Sequence, residues 1–388
     1  MKFKMNKNAA FFIGTVFVMV LMVWFGTNTQ LDFGINLNEN VTYPRGRVIE
    51  VVVDETEVDE EGVRRGRQEL LVELLTGPRR GEVVEAQNIL FIDAAVYAQV
   101  GERIVLFFDY QEGDIQYFAR VHAYERATAM YVIAILFVGL LVAVGGKSGL
   151  RAAFGLFFTF VTLLFFLIPS IVRGASPSLM TVMSSVAIIV VSLISLTGFE
   201  KKTYVSIMGT SIGILFYSIS YLLVSNALRL TGFNIPEMTT LITVGFQANA
   251  RISEFLFCSI MIASLGAVMD TTVSISSTTA ELRRADEKIS FQDLFRSSMR
   301  MARDCIGSSA NTLVLAFTGA FFITLILFQL NNFDYHMIIH RADIAVEVLR
   351  IVTASVGMIL AGPATALIGS YVYSNQKKKA KIIKARFN

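Results

Sequence analysis

Asp270 closes an apolar run from Phe255 to Met269, and hydroxyl residues follow it before any cluster of charge. At helical spacing Ala263, Gly266, Asp270, Ser274, Ser277 and Glu281 fall on one face, a small and polar stripe leading from the apolar run toward that cluster. A charge near the middle of a bilayer costs at least ~2.5–3.5 kcal/mol on insertion scales, so an ionisable residue there is a candidate for function. The chemistry on offer is proton transfer, because desolvation holds a proton on a carboxyl and a nearby guanidinium opposes it. In the next apolar block Asp304, Ser308 and Asn311 repeat the pattern, with Arg303 and Gly307 beside them. If the two blocks are adjacent antiparallel helices, the stripes are expected to meet in the bundle interior. The expected proton or ion pathway is Asp270, Ser274, Ser277, Arg303, Asp304 and Asn311, with no catalytic residue, metal or cofactor assigned. The competing reading leaves Asp270 hydrated near the membrane edge, joining two helix ends.

Other constellations reduce to simpler explanations. GGKSGLR (145–151) lacks the first glycine of a phosphate loop, since Leu141 occupies that position and no strand precedes it. It reads as a basic turn. His336 and His340 have the spacing that places two imidazoles on one metal, with Asp343 as a third ligand, but in a loop they are expected to be solvated. Gly209 and Gly213 form a G-x-x-x-G that lets two helix backbones approach closely. In SFQDLFRSSMRMARD (290–304) Ser290 and Asp293 have capping-box spacing, and Phe291, Leu294, Phe295, Met299 and Ala302 form one face. An amphipathic helix lying on the cytoplasmic surface is expected there, with Arg296 and Arg300 toward headgroups.

The elements that must position these residues are spans. The chain has 388 residues, 54% hydrophobic and 17% charged, and its apolar blocks are long enough for a bilayer, which needs ~20 helical residues. Net charge is +3, and the basic residues cluster at block ends, where headgroups and topology account for them, so no nucleic-acid site is read. Cys258 and Cys305 lie in or beside apolar blocks, which excludes a disulfide framework for any exported part. Lys2, Lys4 and Lys7 precede the run Ala9 to Phe25, which no A-x-A-like site follows, so residues 1–27 are expected to stay as a membrane anchor. Residues 40–125 alternate apolar with charged residues between Gly and Pro turns, as in YPRGRVIEVVVDETEV and GERIVLFFDY. Five short strands suit a small all-β, OB-like barrel domain inserted after the first helix.

Seven further blocks follow, at 130–145, 152–171, 179–197, 204–225, 252–276, 305–330 and 347–373, so an α-helical polytopic membrane protein of about eight transmembrane helices is expected. Lys147 and Arg151, Lys201 and Lys202, the run from Arg283 to Arg303, and the tail beginning at Lys377 all fall on the N-terminal side. The positive-inside rule makes that side the cytoplasm. Both termini are then cytoplasmic in a bacterial cell (plasma) membrane, the β domain is extracytoplasmic, 128–376 is a seven-helix transmembrane domain, and 377–388 is a basic cytoplasmic tail.

Residues 45–372 resemble the YibE/YibF-like family of bacterial multi-pass membrane proteins, through LVAVGGKSGLRAAFGL, IPSIVRGASP, GFEKKTYVSIMGTSIG, SLGAVMDTTVSI and RDCIGSSANTLVLAFTG in that order. That resemblance implies a membrane protein for which transport is presumed. More locally, DTTVSISSTTAELRR with RSSMRMARDCIGSSANTLVLAF is similar to the paired helices of Sec accessory subunits D and F and of RND exporters. It implies that Asp270 and Arg303 are the aspartate and arginine of a proton path. Four spans separate the β domain from Asp270 where that pattern has two, the chain holds one such unit, and Asp304 follows the arginine. The expected function is a secondary transporter or export-energising membrane subunit, proton-coupled through Asp270. Its expected partners are the lipid bilayer, a homo-oligomer or related membrane subunit, and an unidentified small-molecule or polypeptide substrate. Two alternatives stay open. One is a non-transporting receptor or scaffold whose β domain binds a ligand. The other is an intramembrane aspartyl protease with Asp270 and Asp304 as a dyad and GPATAL (362–367) as its proline motif, although Val268 stands where that motif set has glycine.

Overall fold

Period-2 alternation in one stretch and long apolar blocks elsewhere give two units, Gly34–Leu140 on one hand and Met1–Phe33 with Leu141–Asn388 on the other. The structure, a computed structural model, describes residues 7–28, 41–60, 62–77, 79–90, 96–110, 117–231 and 252–374.

The first unit holds β1 (Val41–Thr42), β2 (Arg45–Val58), β3 (Arg64–Leu74), β4 (Val83–Leu90), β5 (Arg103–Tyr110) and β6 (Tyr117–Tyr124). They form one sheet in the order β1-β5-β2-β3-β4-β6, and a further pairing of β5 with β6 returns the circuit to β5. β1 and β2 both lie antiparallel on β5, with Val41 opposite Asp109 and Arg45 opposite Val105. Pro44, which has no N–H, interrupts what is otherwise one strand, while its carbonyl still accepts from Leu106 N at 3.0 Å. β4 meets β6 in parallel at Gln87 and Arg120; the other pairings are antiparallel. Alternation sends Leu70, Val72 and Leu74 of β3 and Val84, Ala86 and Leu90 of β4 into a core with Ile104, Leu106 and Phe108. Two amides share that inward set. Asn88 Nδ2 donates to Gln68 Oε1 at 2.8 Å and to Val96 O at 2.6 Å, and Ala98 N donates to Gln68 Oε1 at 3.1 Å, so the pair fixes the segment 96–98 against the sheet.

The helices are α1 (Lys7–Thr27), α2 (Ala127–Thr162) continuing through a π-helical turn (Leu163–Leu167) into α3 (Ile168–Val172), α4 (Pro177–Thr197), α5 (Lys201–Ala227), α6 (Ile252–Ala285), α7 (Phe291–Ala320), α8 (Phe322–Leu330), α9 (Tyr335–Ile339) and α10 (Ala342–Ser374); all lie in the second unit except the part of α2 up to Leu140, which belongs to the first. Six runs among the described residues are long and apolar enough to cross a membrane, and α7 with α8, bent by 55°, makes a seventh. One of the six, Ala127–Val172, has 46 residues and is not a single rod. At Gly146 φ is 55° and ψ −132°, and beyond it Gly149 comes against the carbonyl of Leu141. A straight helix would hold those two ~12 Å apart along its axis. The chain therefore departs from one straight helix at GGKSG.

Small residues set the spacing around α10. Gly213 of α5 faces Ala361 and the Gly357 carbonyl of α10, Gly209 sits against Thr365, and Gly362 packs on Ile306 of α7. The G-x-x-x-G of α5 is thus a packing device, as its spacing predicts. GPATAL lies inside α10, where its glycine serves the same packing. On the other side of α5 and α6, Ile189, Leu193, Tyr217, Leu256, Ile260 and Met261 build the largest apolar cluster.

Candidate functional site

The rotation of α6 about its axis is fixed by hydroxyls. Thr272 shares a hydrogen bond with Thr210 of α5 at 2.7 Å, and Ser276 shares one with Ser206 at 2.5 Å, so one α6 face is tied to α5 at four-residue spacing. Thr271 donates to Ser309 of α7 at 3.2 Å and Thr279 to Ser298 at 2.8 Å, which ties the neighbouring face to α7. At the start of α6 the Glu254 carboxylate accepts from Ser176 and Ser178 hydroxyls at 2.9 and 2.8 Å and from Ser178 N at 3.2 Å, capping α4. With those faces committed, Ala263, Gly266, Asp270, Ser274 and Glu281 are left exposed and Ser277 half-buried. The predicted stripe is one face, as the spacing requires.

Asp270 is residue 19 of the 34 in α6, about 27 Å from the first residue and 22 Å from the last at ~1.5 Å per residue. Its carboxyl makes no hydrogen bond or ion pair with any described residue. On α7 the side chains turned into the bundle are Leu294, Ser298, Ala302 and Leu313, whereas Arg303, Asp304, Gly307, Ser308 and Asn311 are exposed. The two Thr–Ser contacts give the antiparallel register. Asp270 lies at the level of residues 307–310, and Arg303 and Asp304 lie at the level of residues 273–277, one to two turns nearer the charged cluster.

This corrects one expectation. The stripes of α6 and α7 do not meet in the bundle interior; both lie on its open surface. Hydroxyls can satisfy one another inside a dry bundle, while an isolated carboxylate there has nothing to offset its desolvation. Arg303 forms no ion pair with Asp270 and lies off the α6–α7 contact, which runs through Ser298, Ala302, Ile306 and Ser309. Nor are the carboxyls of Asp270 and Asp304 hydrogen-bonded to one another, so no dyad is assembled within the chain. The segment after Ser290 is a helix with the expected cap, Ser290 Oγ accepting from Asp293 N at 3.1 Å and donating to Asp293 Oδ2 at 2.7 Å. It is not a separate surface helix. It continues into the span as α7, and its apolar face packs on α6 and α10 through Leu294, Phe295, Met299 and Ala302, because Ile275, Ala280, Ala366 and Tyr373 offer a better apolar seat than headgroups. Asp343, considered as a ligand with His336 and His340, is held in a bidentate pair by Arg341 at 2.9–3.2 Å.

The hydroxyl ladder itself was not singled out from the sequence, although Ser206/Thr210 and Thr272/Ser276 carry a legible four-residue spacing. Also unanticipated is Glu347 of α10, 7% exposed and paired with Arg350 at 3.2 Å. One turn of charge beside Leu349 gives no periodic signal.

A family model described as YibE/F-like protein matches residues 133–375, more than half of the chain. The chain belongs to the YibE/F-like family. The match takes in α4 to α10 and so includes both polar stripes, and it starts beyond β6, leaving the β unit outside it. No curated protein and no solved structure gives a significant match.

Proposed function

We propose that this member of the YibE/F-like family is an eight-span integral membrane protein that works as a secondary transporter or export-energising subunit, with Asp270 as its proton carrier. In this reading both termini face the cytoplasm. The clustering of basic residues at alternate ends of the eight segments supports that orientation. The β unit is then extracytoplasmic. Its closed strand circuit, with one parallel pair between β4 and β6, supports an OB-like barrel that engages substrate or a partner.

The observation that carries the proposal is the position of Asp270: midway along a membrane-length helix, on an open polar face, with no ion pair to its carboxyl among the described residues. A structural carboxylate would be paired or placed at a helix end. A carboxyl that loads and unloads a proton needs freedom from a fixed counter-charge, which would hold it ionised. One proton moving down a membrane potential yields ~2.3 kcal/mol per 100 mV, enough to bias two arrangements of α6 and α7. Asp270→Asn keeps the size and removes the titratable group. In proteoliposomes loaded with a pH-sensitive dye and given an inward potential, the wild type should acidify the lumen, and Asp270→Asn should abolish this at normal expression and helicity. Flux unchanged in Asp270→Asn would remove Asp270 from the proton path.

A further inference from the structure

The open face of α6 and α7 has no cover within the described chain, and its chemistry says what would fit it. Asp270 and Ser274 on α6 and Asp304, Ser308 and Asn311 on α7 are all exposed, on helices that are membrane-spanning in the reading above. Hydrocarbon offers no hydrogen-bond donor to such a face. Between the polar groups, Gly266 and Gly307 leave open space, with no atom within 4 Å of where a Cβ would stand. Small residues of this kind let another helix approach closely.

The register within one chain supplies the complement. A two-fold axis along the membrane normal keeps every residue at its own depth and sets α6 of one copy against α7 of the other, an isologous contact. Asp270, level with residues 307–310, then faces Ser308 and Asn311 of the second copy; Asp304, level with residues 273–276, faces its Ser274 and Ser277. Each carboxylate meets hydroxyl or amide donors, and no carboxylate meets another. Donors and acceptors on one chain at matched depths are what self-association requires and what a lipid cannot offer. We infer that the α6–α7 face is completed by the same face of a second copy, which contributes Ser308 and Asn311 to the site of Asp270. The inference rests on the proposed membrane-spanning reading of α6 and α7, and it stands whether or not Asp270 carries protons.

The test is cross-linking in native membranes. Two full-length forms with different tags and with Cys258 and Cys305 replaced by alanine are co-expressed, one with Ser274→Cys and the other with Asp304→Cys. Oxidation should give a disulfide between the two tags at least tenfold above a control pair bearing Ile323→Cys on α8, a site 73% exposed and away from the polar face. In liposomes at low protein density, Asn311→Leu should lower the dimer fraction seen by single-molecule photobleaching at least tenfold, with helicity unchanged. Cross-linking no better than the control, or exclusive capture of a different protein at Ser274→Cys, would overturn the inference. Proton flux separates the two proposals: failed cross-linking with flux still lost in Asp270→Asn removes only the second copy, and efficient cross-linking with flux unchanged in Asp270→Asn removes only the proton carrier.

Discussion

Adding one methyl group at Gly213 tests the packing that holds α5, α6 and α10 together. A Cβ there would stand 2.8 Å from Val268 Cγ1, 2.9 Å from Ala361 Cβ and 3.0 Å from the Gly357 carbonyl oxygen, all inside ordinary van der Waals contact. The valine methyl can rotate away. Ala361 Cβ and the Gly357 carbonyl belong to the backbone frame of α10, so relief requires α10 to move by several tenths of an ångström against α5, α6 and α7 together. Overpacking of that kind costs ~1–3 kcal/mol. Gly14 of α1 provides the comparison, since nothing lies within 4 Å of its added Cβ. Any gain in helix propensity, ~0.8–1 kcal/mol for glycine to alanine, is common to both substitutions and cancels in the difference. Gly213→Ala should therefore be less stable than Gly14→Ala by ~1–3 kcal/mol, about 5- to 150-fold in the folded-to-unfolded ratio. Steric trapping of the full chain in bicelles reads that ratio directly. Equal stability of the two variants would mean that α5 and α10 are not in backbone contact, and the packing argument for the G-x-x-x-G would fall.

Replacing Thr210 and Thr272 by valine singly and together, in a double-mutant cycle read by the same method, should return a coupling near ~0.6 kcal/mol and no more than ~1.7, the range for hydrogen bonds between membrane helices. Zero coupling would dissociate the hydroxyl ladder from the setting of α6. In the β unit the Thr56 hydroxyl, foremost, with those of Tyr97 and the Gln68 amide, holds the Asp54 carboxyl below its ordinary value of 3.8. A lowered folded-state pKa contributes stability above the ordinary value that is lost as pH falls through the folded one. The gap in hydrogen-exchange protection of residues 96–98 between wild type and Asp54→Asn should be constant from pH 7 to 5 and close below about pH 3.8; a gap independent of pH would assign the effect to shape alone. Cysteines placed at Glu60 and Lys288 should show opposite accessibility to an impermeant label in intact cells, and labelling of both from outside would defeat the eight-span topology.

What the sequence determines here is whatever depends on period and run length. Alternation over residues 43–110 dictates strands with one buried face, because successive side chains point to opposite sides. The apolar blocks are long enough to be spans wherever they pack, and the stripe Ala263 to Glu281 lies on one side of a helix by geometry alone. The sequence also carries the break at GGKSG, since glycine is the residue that takes the positive φ of Gly146. Tertiary structure alone decides which side of each helix faces inward. Two polar faces on α6 were available, one of hydroxyls at Thr272 and Ser276 and one bearing Asp270, and periodicity cannot rank them. Packing ranks them, because paired hydroxyls satisfy each other in a dry interface and a lone carboxylate does not. The same choice turned the amphipathic start of α7 onto α6 and α10 instead of the membrane surface. It left Asp270, Ser308 and Asn311 on an open face.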